Sequence, residues 1–441
     1  MASKTKTVVA PLIRHVATRG YAQAAHAQSG VGGRLSKTTL PSNTIVAAFD
    51  NGSPVTRVTV AFKAGSRYEP QPELGIAHVL RSAAGLSTKS ANGFIMARKL
   101  AQLGASVTAS GDREFIYYTL ESTQDNVDEA VSILNNMICA QEFRPWELAD
   151  NLPRLQFDIA ALPPQVRAVD LLHKAAYRRG LGNSLFISPK RIGKISSESL
   201  QHYACNLLTA SSCAVAVVGD SQERANMIAQ NLKLSDSNYK HADDTKYYGG
   251  DLRKEMGGDL AHVAVAVQGG KAGSPQSLAL AVAAKALGSG PVIKWGAVNS
   301  PLAKAIGNIG PFAAAGFNVS YSDSGLFGVV LSVPKDEANN AVKVCANFLK
   351  KPSLSADAIK AGKSQLKVQI LSEADAGASL AESLAAQGFH TGNVKSPTDI
   401  AKDIDALSSN DIQQALSSAA GQKLSMGAAG NLAFVPYTDE L

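Results

Sequence analysis

The two halves of this chain repeat one another, and this duplication constrains the fold more than any other feature of the sequence. Three kinds of segment recur in the same order, roughly 205–212 residues apart. They are an alternating strand before a glycine turn (58–66 and 262–270), an amphipathic helix (127–137 and 339–349) and a short apolar strand (213–220 and 425–431). Because self-similarity at a fixed spacing marks a duplicated unit, the sequence predicts two similar domains.

Strands and helices are mixed within the first copy. Hydrophobic periodicity predicts a strand at 56–63, helices at 73–86, about 92–103 and 127–138, and a hairpin within 105–122. No phosphate-binding loop of the GxxxxGK[ST] or GxGxxG type follows a strand. Strands joined by both hairpins and helices favour an α+β fold over a doubly wound one. We therefore expect two homologous α+β domains, each a mostly antiparallel sheet covered by helices.

A polar segment separates the two copies. Residues 235–250, SDSNYKHADDTKYYGG, end in glycine and lack helical or strand periodicity, which predicts a linker. The expected N-terminal domain is then 36–234 and the C-terminal domain 251–441.

The N-terminus has the composition of an import signal. Residues 1–49 contain no Asp or Glu, whereas the first twenty-one carry Lys4, Lys6, Arg14 and Arg19 beside an apolar helical face. A basic amphipathic stretch without acids is typical of a mitochondrial transit peptide. We expect it to span 1–21, with cleavage after the RGY sequence; a merely flexible basic tail is the alternative.

Charge and composition exclude several classes of function. Removing the four cations of the first twenty-one residues lowers the formal net charge from +7 to +3. A nucleic-acid role then loses its main support. No apolar run approaches the roughly 18 residues that span a bilayer, so we expect no direct membrane span. The four cysteines form neither a CxxC pair nor the CxxCH haem signature, and we expect no cofactor. Cys213 and Cys345 lie in apolar runs and are expected in the core.

The stretch GIAHVLRSAAG, 75–85, begins like a zinc-binding helix and then departs from one. The inverted zinc motif places Glu and His three and four residues after its first His. Here His78 is followed at those positions by Arg81 and Ser82. A guanidinium cannot accept a proton from water, and it stays positive beside any cation. We therefore expect neither a metal site nor a catalytic residue at these positions.

Several longer stretches carry a family resemblance. GIAHVLRS, LAQLGASVTASGDREFIYYTLES, EFRPWELAD, LHKAAYRRGLGNSLF, RIGKIS and NVSYSDSGLFG together resemble the pitrilysin-type metallopeptidases, from about residue 36 to the C-terminus. The resemblance implies two similar α+β domains that face each other like the halves of a shell. In active members, HxxEH and a later Glu bind zinc and activate water. The matching positions here are His78, Arg81, Ser82 and Asp158, which implies a degenerate, inactive motif.

Two further positions bear on the resemblance. Active members carry a substrate-holding arginine in a segment similar to SPLAKAIGNIG, where this chain has Gly307. The sequence GSG at 288–290 resembles a short peptide-binding glycine loop like that of the processing peptidase's non-catalytic subunit, but a turn at the end of a helix is the favoured interpretation.

The resemblance implies a non-catalytic role. It is nearest to members that act as structural core subunits of mitochondrial respiratory complex III, the ubiquinol–cytochrome c reductase. This implies pairing with core protein 1, contact with other subunits including the cytochrome and Rieske iron–sulfur subunits, and a peripheral place on the matrix side of the inner membrane. A presequence-binding, non-catalytic subunit of the mitochondrial processing peptidase is the alternative. An active metallopeptidase is opposed by Arg81 and Ser82.

Overall fold

The computed structural model describes residues 33–235, 244–288, 290, 300–307 and 311–441. The predicted transit peptide, 1–21, lies outside the described residues. Eleven strands are described: β1 Arg34–Thr39, β2 Ile45–Asp50, β3 Val55–Phe62, β4 Ser106–Gly111, β5 Ile116–Thr123, β6 Cys213–Val218, β7 Gly250–Glu255, β8 Leu260–Gln268, β9 Ala313–Ser320, β10 Gly325–Pro334 and β11 Ser425–Gly430.

The described α-helices fall into two groups. Those before residue 235 are α1 Ile76–Ser82, α2 Gly93–Gln102, α3 Val127–Cys139, α4 Pro145–Asp150, α5 Leu152–Ala160, α6 Pro164–Tyr177, α7 Ser197–Leu207 and α8 Gln222–Asn231. Those after it are α9 Pro275–Leu287, α10 Pro301–Ile306, α11 Ala338–Lys350, α12 Ala356–Asp375, α13 Ala378–Thr391, α14 Pro397–Ala406 and α15 Ser409–Ala420. No helix among the described residues is long and apolar enough to cross a bilayer.

The two sheets confirm the duplicated α+β fold. Their strand orders are β1-β2-β6-β3-β5-β4 and β7-β11-β8-β10-β9. The β2–β6 pair and its equivalent, β7–β11, are parallel, and the other described pairings are antiparallel. The first sheet therefore has the strand order of the second, with β1 added at one edge. The predicted linker reaches into the second sheet, because β7 begins at Gly250, its last residue.

Each sheet packs its own helices on one face and a single helix of the other half on the opposite face. Helix α13 packs Leu380, Ala381 and Leu384 against β2, β3 and β6 of the first sheet. Helix α6 packs Ala168 and Leu172 against β8 and β11 of the second. Burying each of these leucines contributes about 1.5–3 kcal/mol, so the exchanged helices bind the halves together.

Small residues make room for the exchanged helices. A Cβ added to Gly427 of β11 would lie 2.2 Å from the carbonyl oxygen of Ala168 and 2.3 Å from the amide nitrogen of Leu172. The backbone of α6 therefore lies directly on β11, and a larger residue at 427 would push it away. Alanines of β6 and β8 line the same faces.

The predicted elements of the first copy are observed with small shifts. Strand 56–63 is β3, the helix at 92–103 is α2, the hairpin is β4–β5 and the helix at 127–138 is α3. The helix predicted at 73–86 is shorter, because Gly75 takes a left-handed conformation (φ 97°) at its start. Cys213 and Cys345 are buried, as expected, and Cys139 and Cys205 are exposed.

Candidate functional site

A buried carboxylate positions the helix that carries the zinc-like motif. Glu69, 6% exposed, accepts hydrogen bonds from the backbone N–H groups of Gly75 (2.8 Å) and Ala77 (3.0 Å) at the start of α1. These N–H groups have no partner within the helix, so the carboxylate satisfies them and complements the helix dipole. Burial raises the pKa of Glu69 to about 7. Helix α1 is therefore held from its N-terminus by a residue six positions upstream of Gly75.

One ring nitrogen of His78 has a hydrogen-bond partner, and the other faces a carboxylate at longer range. Its Nδ1 accepts a hydrogen bond from the Ile187 N–H at 3.2 Å, which places the proton of the neutral ring on Nε2. Nε2 lies 3.8 Å from Oδ2 of Asp158. Phe186 packs edge-on against the imidazole, with ring centroids 5.6 Å apart. Burial, and then the positive charge of Arg81, lower the pKa of His78 to about 4. The ring is neutral at physiological pH and is fixed as a hydrogen-bonding residue.

Arg81 occupies the position where a catalytic base would stand, and its guanidinium is bonded to three carbonyl oxygens. It donates to Leu185 at 2.9 Å, to Gly111 at 3.3 Å and to Ala77 at 3.4 Å. Gly111 gives it room, because a Cβ there would lie 2.9 Å from Cδ of Arg81. The group ties α1 to β4 and to the 185–187 segment. It accepts no proton and repels a divalent cation.

Ser82 connects α1 to α5. Its hydroxyl accepts a hydrogen bond from Nδ2 of Asn151 at 2.8 Å, and its carbonyl oxygen accepts one from Nη1 of Arg154 at 3.5 Å. The side chain is buried. Where an active relative would place a second zinc-binding imidazole, this chain has hydrogen bonds that join two helices.

The four positions of the motif lie on two adjacent helices, α1 and α5, but they do not fit a zinc ion. His78 offers one nitrogen and Asp158 one carboxylate, whereas a catalytic zinc takes three protein ligands. Arg81 and Arg154 add positive charge beside that pair, as their depressing effect on the pKa of His78 indicates. Among the residues that the structure describes, no group of three His, Cys, Asp or Glu side chains is placed to hold a metal. These four residues therefore do not support zinc-dependent hydrolysis.

Gly307 and Gly288 both end helices. Gly307 follows α10 with φ 82°, a conformation that favours glycine, and its N–H bonds to the Ala303 carbonyl at 3.1 Å. Gly288 follows α9 with φ 129° and accommodates Ser300, whose Oγ would lie 2.7 Å from an added Cβ. Residue 289, the middle of the GSG sequence, lies outside the described residues.

Sequence patterns did not single out Glu69 or Asn151, although both position the motif. Glu69 carried no usable signal, because helix caps are expected directly before the helix and Glu69 lies seven residues before Ile76. Asn151 carried none, since its contact with Ser82 depends on how α5 docks on α1.

Two sequence profiles of one family match the chain. Residues 44–188 match insulinase (peptidase family M16), and residues 194–365 match the inactive domain of peptidase M16. Strand β6, at the centre of the first sheet, lies beyond the first matched region.

Similar proteins with curated descriptions include mitochondrial respiratory subunits. The chain is 34% identical over 418 residues to the human cytochrome b-c1 complex subunit 2, mitochondrial, covering 92% of each chain. The rat protein of the same description is 32% identical over 416 residues, again covering 92% of each. A probable mitochondrial-processing peptidase subunit alpha-1 of Arabidopsis thaliana is 25% identical over 422 residues, covering 92% of this chain and 84% of the relative.

A solved structure has the same fold. A chain of complex III2 from Candida albicans, with Inz-5 bound, superposes with a TM-score of 0.79 at 20% identity. The match covers 92% of this chain and 98% of that one.

Proposed function

The chain belongs to peptidase family M16, and from this premise we propose that it is a non-catalytic core subunit of mitochondrial respiratory complex III. In this role it corresponds to subunit 2 of the cytochrome b-c1 complex. The similarity to the human subunit over 92% of both chains carries the proposal. The likeness covers nearly the whole of both chains, as expected of two proteins that fill the same place in an assembly.

The motif residues support the non-catalytic half of the proposal. Arg81 is bonded to three carbonyl oxygens, and Ser82 is bonded to Asn151. Both side chains stabilise packing around α1. We infer that His78, Arg81, Ser82 and Asp158 now serve the stability of the first half and have no role in hydrolysis.

The two-domain shell then acts as a scaffold. Its exchanged helices hold domains 36–234 and 251–441 together, and its outer surfaces bind core protein 1 and other complex III subunits. Electron transfer belongs to the cytochrome and Rieske iron–sulfur subunits of that complex. The protein itself lies peripherally on the matrix side of the inner membrane and is held there by its partners.

Import precedes assembly. The basic, acid-free segment 1–21 directs the chain into mitochondria, and the mature protein begins near Ala22. N-terminal sequencing of the mitochondrial protein tests this step; an intact Met1 would contradict it.

Purification of the tagged protein from mitochondria tests the proposed assembly. We expect the cytochrome and Rieske subunits to copurify with it in fixed proportion and to migrate with it on a native gel. Recovery of the protein alone, or with a processing peptidase subunit, would contradict the proposal.

The second candidate is a presequence-binding subunit of the processing peptidase. The similarity to plant processing-peptidase alpha subunits favours it, at 25–26% identity over most of the chain. This identity is lower than the 34% found with the complex III subunit. Depletion of the protein separates the two functions, because only the second candidate predicts that uncleaved precursors accumulate.

A further inference from the structure

Five exposed cations lie where the end of α6 contacts the last residues of the linker. They are Lys174, Arg178, Arg179, Lys246 and Lys423, here called the junction patch. We propose that the junction patch binds an acidic polypeptide segment of a neighbouring subunit. This inference rests on the proposed function, which supplies neighbouring subunits for the patch to bind.

The backbone at Arg178 is strained. Arg178 directly follows α6 with φ 65° and ψ −49°, and the N–H of Arg179 bonds to the Tyr177 carbonyl at 2.7 Å. This is a γ-turn of the rare, positive-φ kind. Such strain in a non-glycine residue costs on the order of 1–3 kcal/mol and tends to occur at functional positions. The chain makes a similar turn at Gly377, with φ 66° and ψ −50°, where glycine adopts the conformation with little strain.

The strained turn places the Arg178 side chain on an aromatic ring. Its guanidinium carbon lies 4.5 Å from the centroid of Tyr248, and Nζ of Lys246 lies 5.6 Å from the same centroid. The N–H of Tyr248 bonds to the Ala176 carbonyl at 2.8 Å, which fixes the linker against the last turn of α6. Two cations thus contact one ring, and the backbone hydrogen bond of Tyr248 keeps that ring beside the end of α6.

The remaining cations lie close by. Lys174 is one turn before Arg178 on α6, and its carbonyl accepts the Arg178 N–H at 3.0 Å. Lys423 lies beside the linker, because a Cβ at Gly249 would be 3.0 Å from the Cβ of Lys423. Its carbonyl accepts a hydrogen bond from the Tyr247 hydroxyl at 2.6 Å.

None of the five cations forms an ion pair with a described carboxylate. Of the described acidic residues near the patch along the chain, Asp170 pairs with Arg113 and Asp251 with Arg253, whereas Asp244 is exposed and leaves the five cations in excess. The negative end of the α6 dipole accounts for cations in its last turn, but it does not account for arginine at a strained position. Repulsion among unpaired like charges is relieved when an anionic partner binds, so the patch favours acidic ligands.

A polypeptide fits the patch better than a membrane surface does. Proteins that bind anionic bilayers combine cations with apolar side chains that enter the lipid. Among the described residues of 170–180, 244–250 and 421–425, the one exposed large hydrophobic side chain is Tyr248, and two cations contact its ring. An extended acidic segment can pair its carboxylates with the row of guanidinium and ammonium groups.

Three proteins test the inference: wild type, the patch variant K174Q/R178Q/K246Q and the control variant K99Q/K190Q/K360Q. The control removes the same charge at exposed lysines elsewhere. The probes are a fluorescein-labelled decapeptide of alternating Glu and Gly, and vesicles of phosphatidylcholine with one-fifth cardiolipin. We expect the patch variant to bind the peptide about tenfold more weakly than wild type and control at low salt. Equal peptide affinity in all three proteins would overturn the inference. So would patch-dependent binding to vesicles but not to the peptide.

The variant Arg178→Gly separates binding from folding. Glycine relieves the strained backbone, so we expect the melting temperature to stay the same or rise while peptide affinity falls severalfold. Equal loss of stability and affinity would mean that Arg178 serves packing alone. In mitochondria, the patch variant should assemble less complex III than the control variant. If wild type itself is absent from complex III, the proposed function fails, and the peptide assay still decides the inference.

Discussion

Arg67 of the first half and Asp323 of the second form an ion pair across the boundary between the halves, with Nη1 and Oδ1 2.9 Å apart. The same guanidinium lies 2.7 Å from Glu114, whose side chain is 2% exposed. Glu114 also accepts the Ser322 N–H at 2.9 Å. Glu114 lies in the turn between β4 and β5, and Asp323 in the equivalent turn between β9 and β10. Equivalent turns of the two copies therefore meet around one arginine.

Replacing Arg67 with Met should lower the free energy of unfolding by about 3–5 kcal/mol, because the buried Glu114 carboxylate loses its ion-pair partner. Urea denaturation measures the change. Arg57→Met is the matched control: its partner, Glu121, is 40% exposed, so its loss should cost less than about 1 kcal/mol. Equal effects of the two substitutions would show that the Arg67 pair does not stabilise the boundary.

His78 should make stability depend on pH below neutrality. Its pKa is about 4 in the folded protein and near 6.5 in the unfolded chain, so the unfolded state binds more protons between these values. The contribution of His78 is complete above about pH 6.5 and is lost as the pH falls toward 4. Between pH 7 and pH 5, wild type should lose about 2 kcal/mol more than His78→Asn. Urea denaturation at both pH values measures the difference. If the free energy of unfolding changed equally with pH in wild type and His78→Asn, the assigned burial of the imidazole would be contradicted.

Restoring the metal ligands should not restore a peptidase. The triple variant R81E/S82H/D158E supplies two helical imidazoles, a base and the distal carboxylate, and Asp158 already lies 3.8 Å from His78. We expect tighter zinc binding than wild type, because ligand type and number dominate affinity. We expect no hydrolysis above background, because catalysis also needs a peptide held in productive geometry, and Gly307 offers no guanidinium.

Metal content after dialysis and cleavage of a fluorogenic presequence peptide measure the two properties of the triple variant. Robust turnover would show that the substrate-binding residues have survived. Wild-type protein treated with zinc in the same way is the control.

Gly427→Ala should displace the exchanged helix α6. The added Cβ would lie 2.2 Å from the Ala168 carbonyl oxygen, so backbone must move, and overpacking of this kind costs about 1–3 kcal/mol. Gly421→Ala is the control, because its φ of −74° suits alanine and no atom lies within 4 Å of the new Cβ. Thermal unfolding compares the two. A melting temperature equal to that of the control would contradict the close contact of α6 with β11.

Local patterns in the sequence predicted the duplicated fold and about half of the strands and helices of the first copy, because alternation and helical periodicity are properties of neighbouring residues. The exchange of α6 and α13 was not predicted. The apolar side of α6, with Ala168 and Leu172, suits a sheet face of either half, and periodicity does not say which sheet a helix will cover. The motif at His78 could be located by its spacing. The residues that hold the motif in place could not be predicted, because the contacts of Arg81 with Leu185 and of Ser82 with Asn151 join residues far apart in sequence.

Depletion of the protein, followed by measurement of ubiquinol–cytochrome c reductase activity in isolated mitochondria, tests the central claim most directly. A non-catalytic core subunit predicts that complex III content and this activity fall together, and that presequences are still cleaved normally. Expression of wild type should restore both, and so should a variant with His78→Asn, because no zinc chemistry is involved. Normal complex III with accumulating uncleaved precursors would contradict the account.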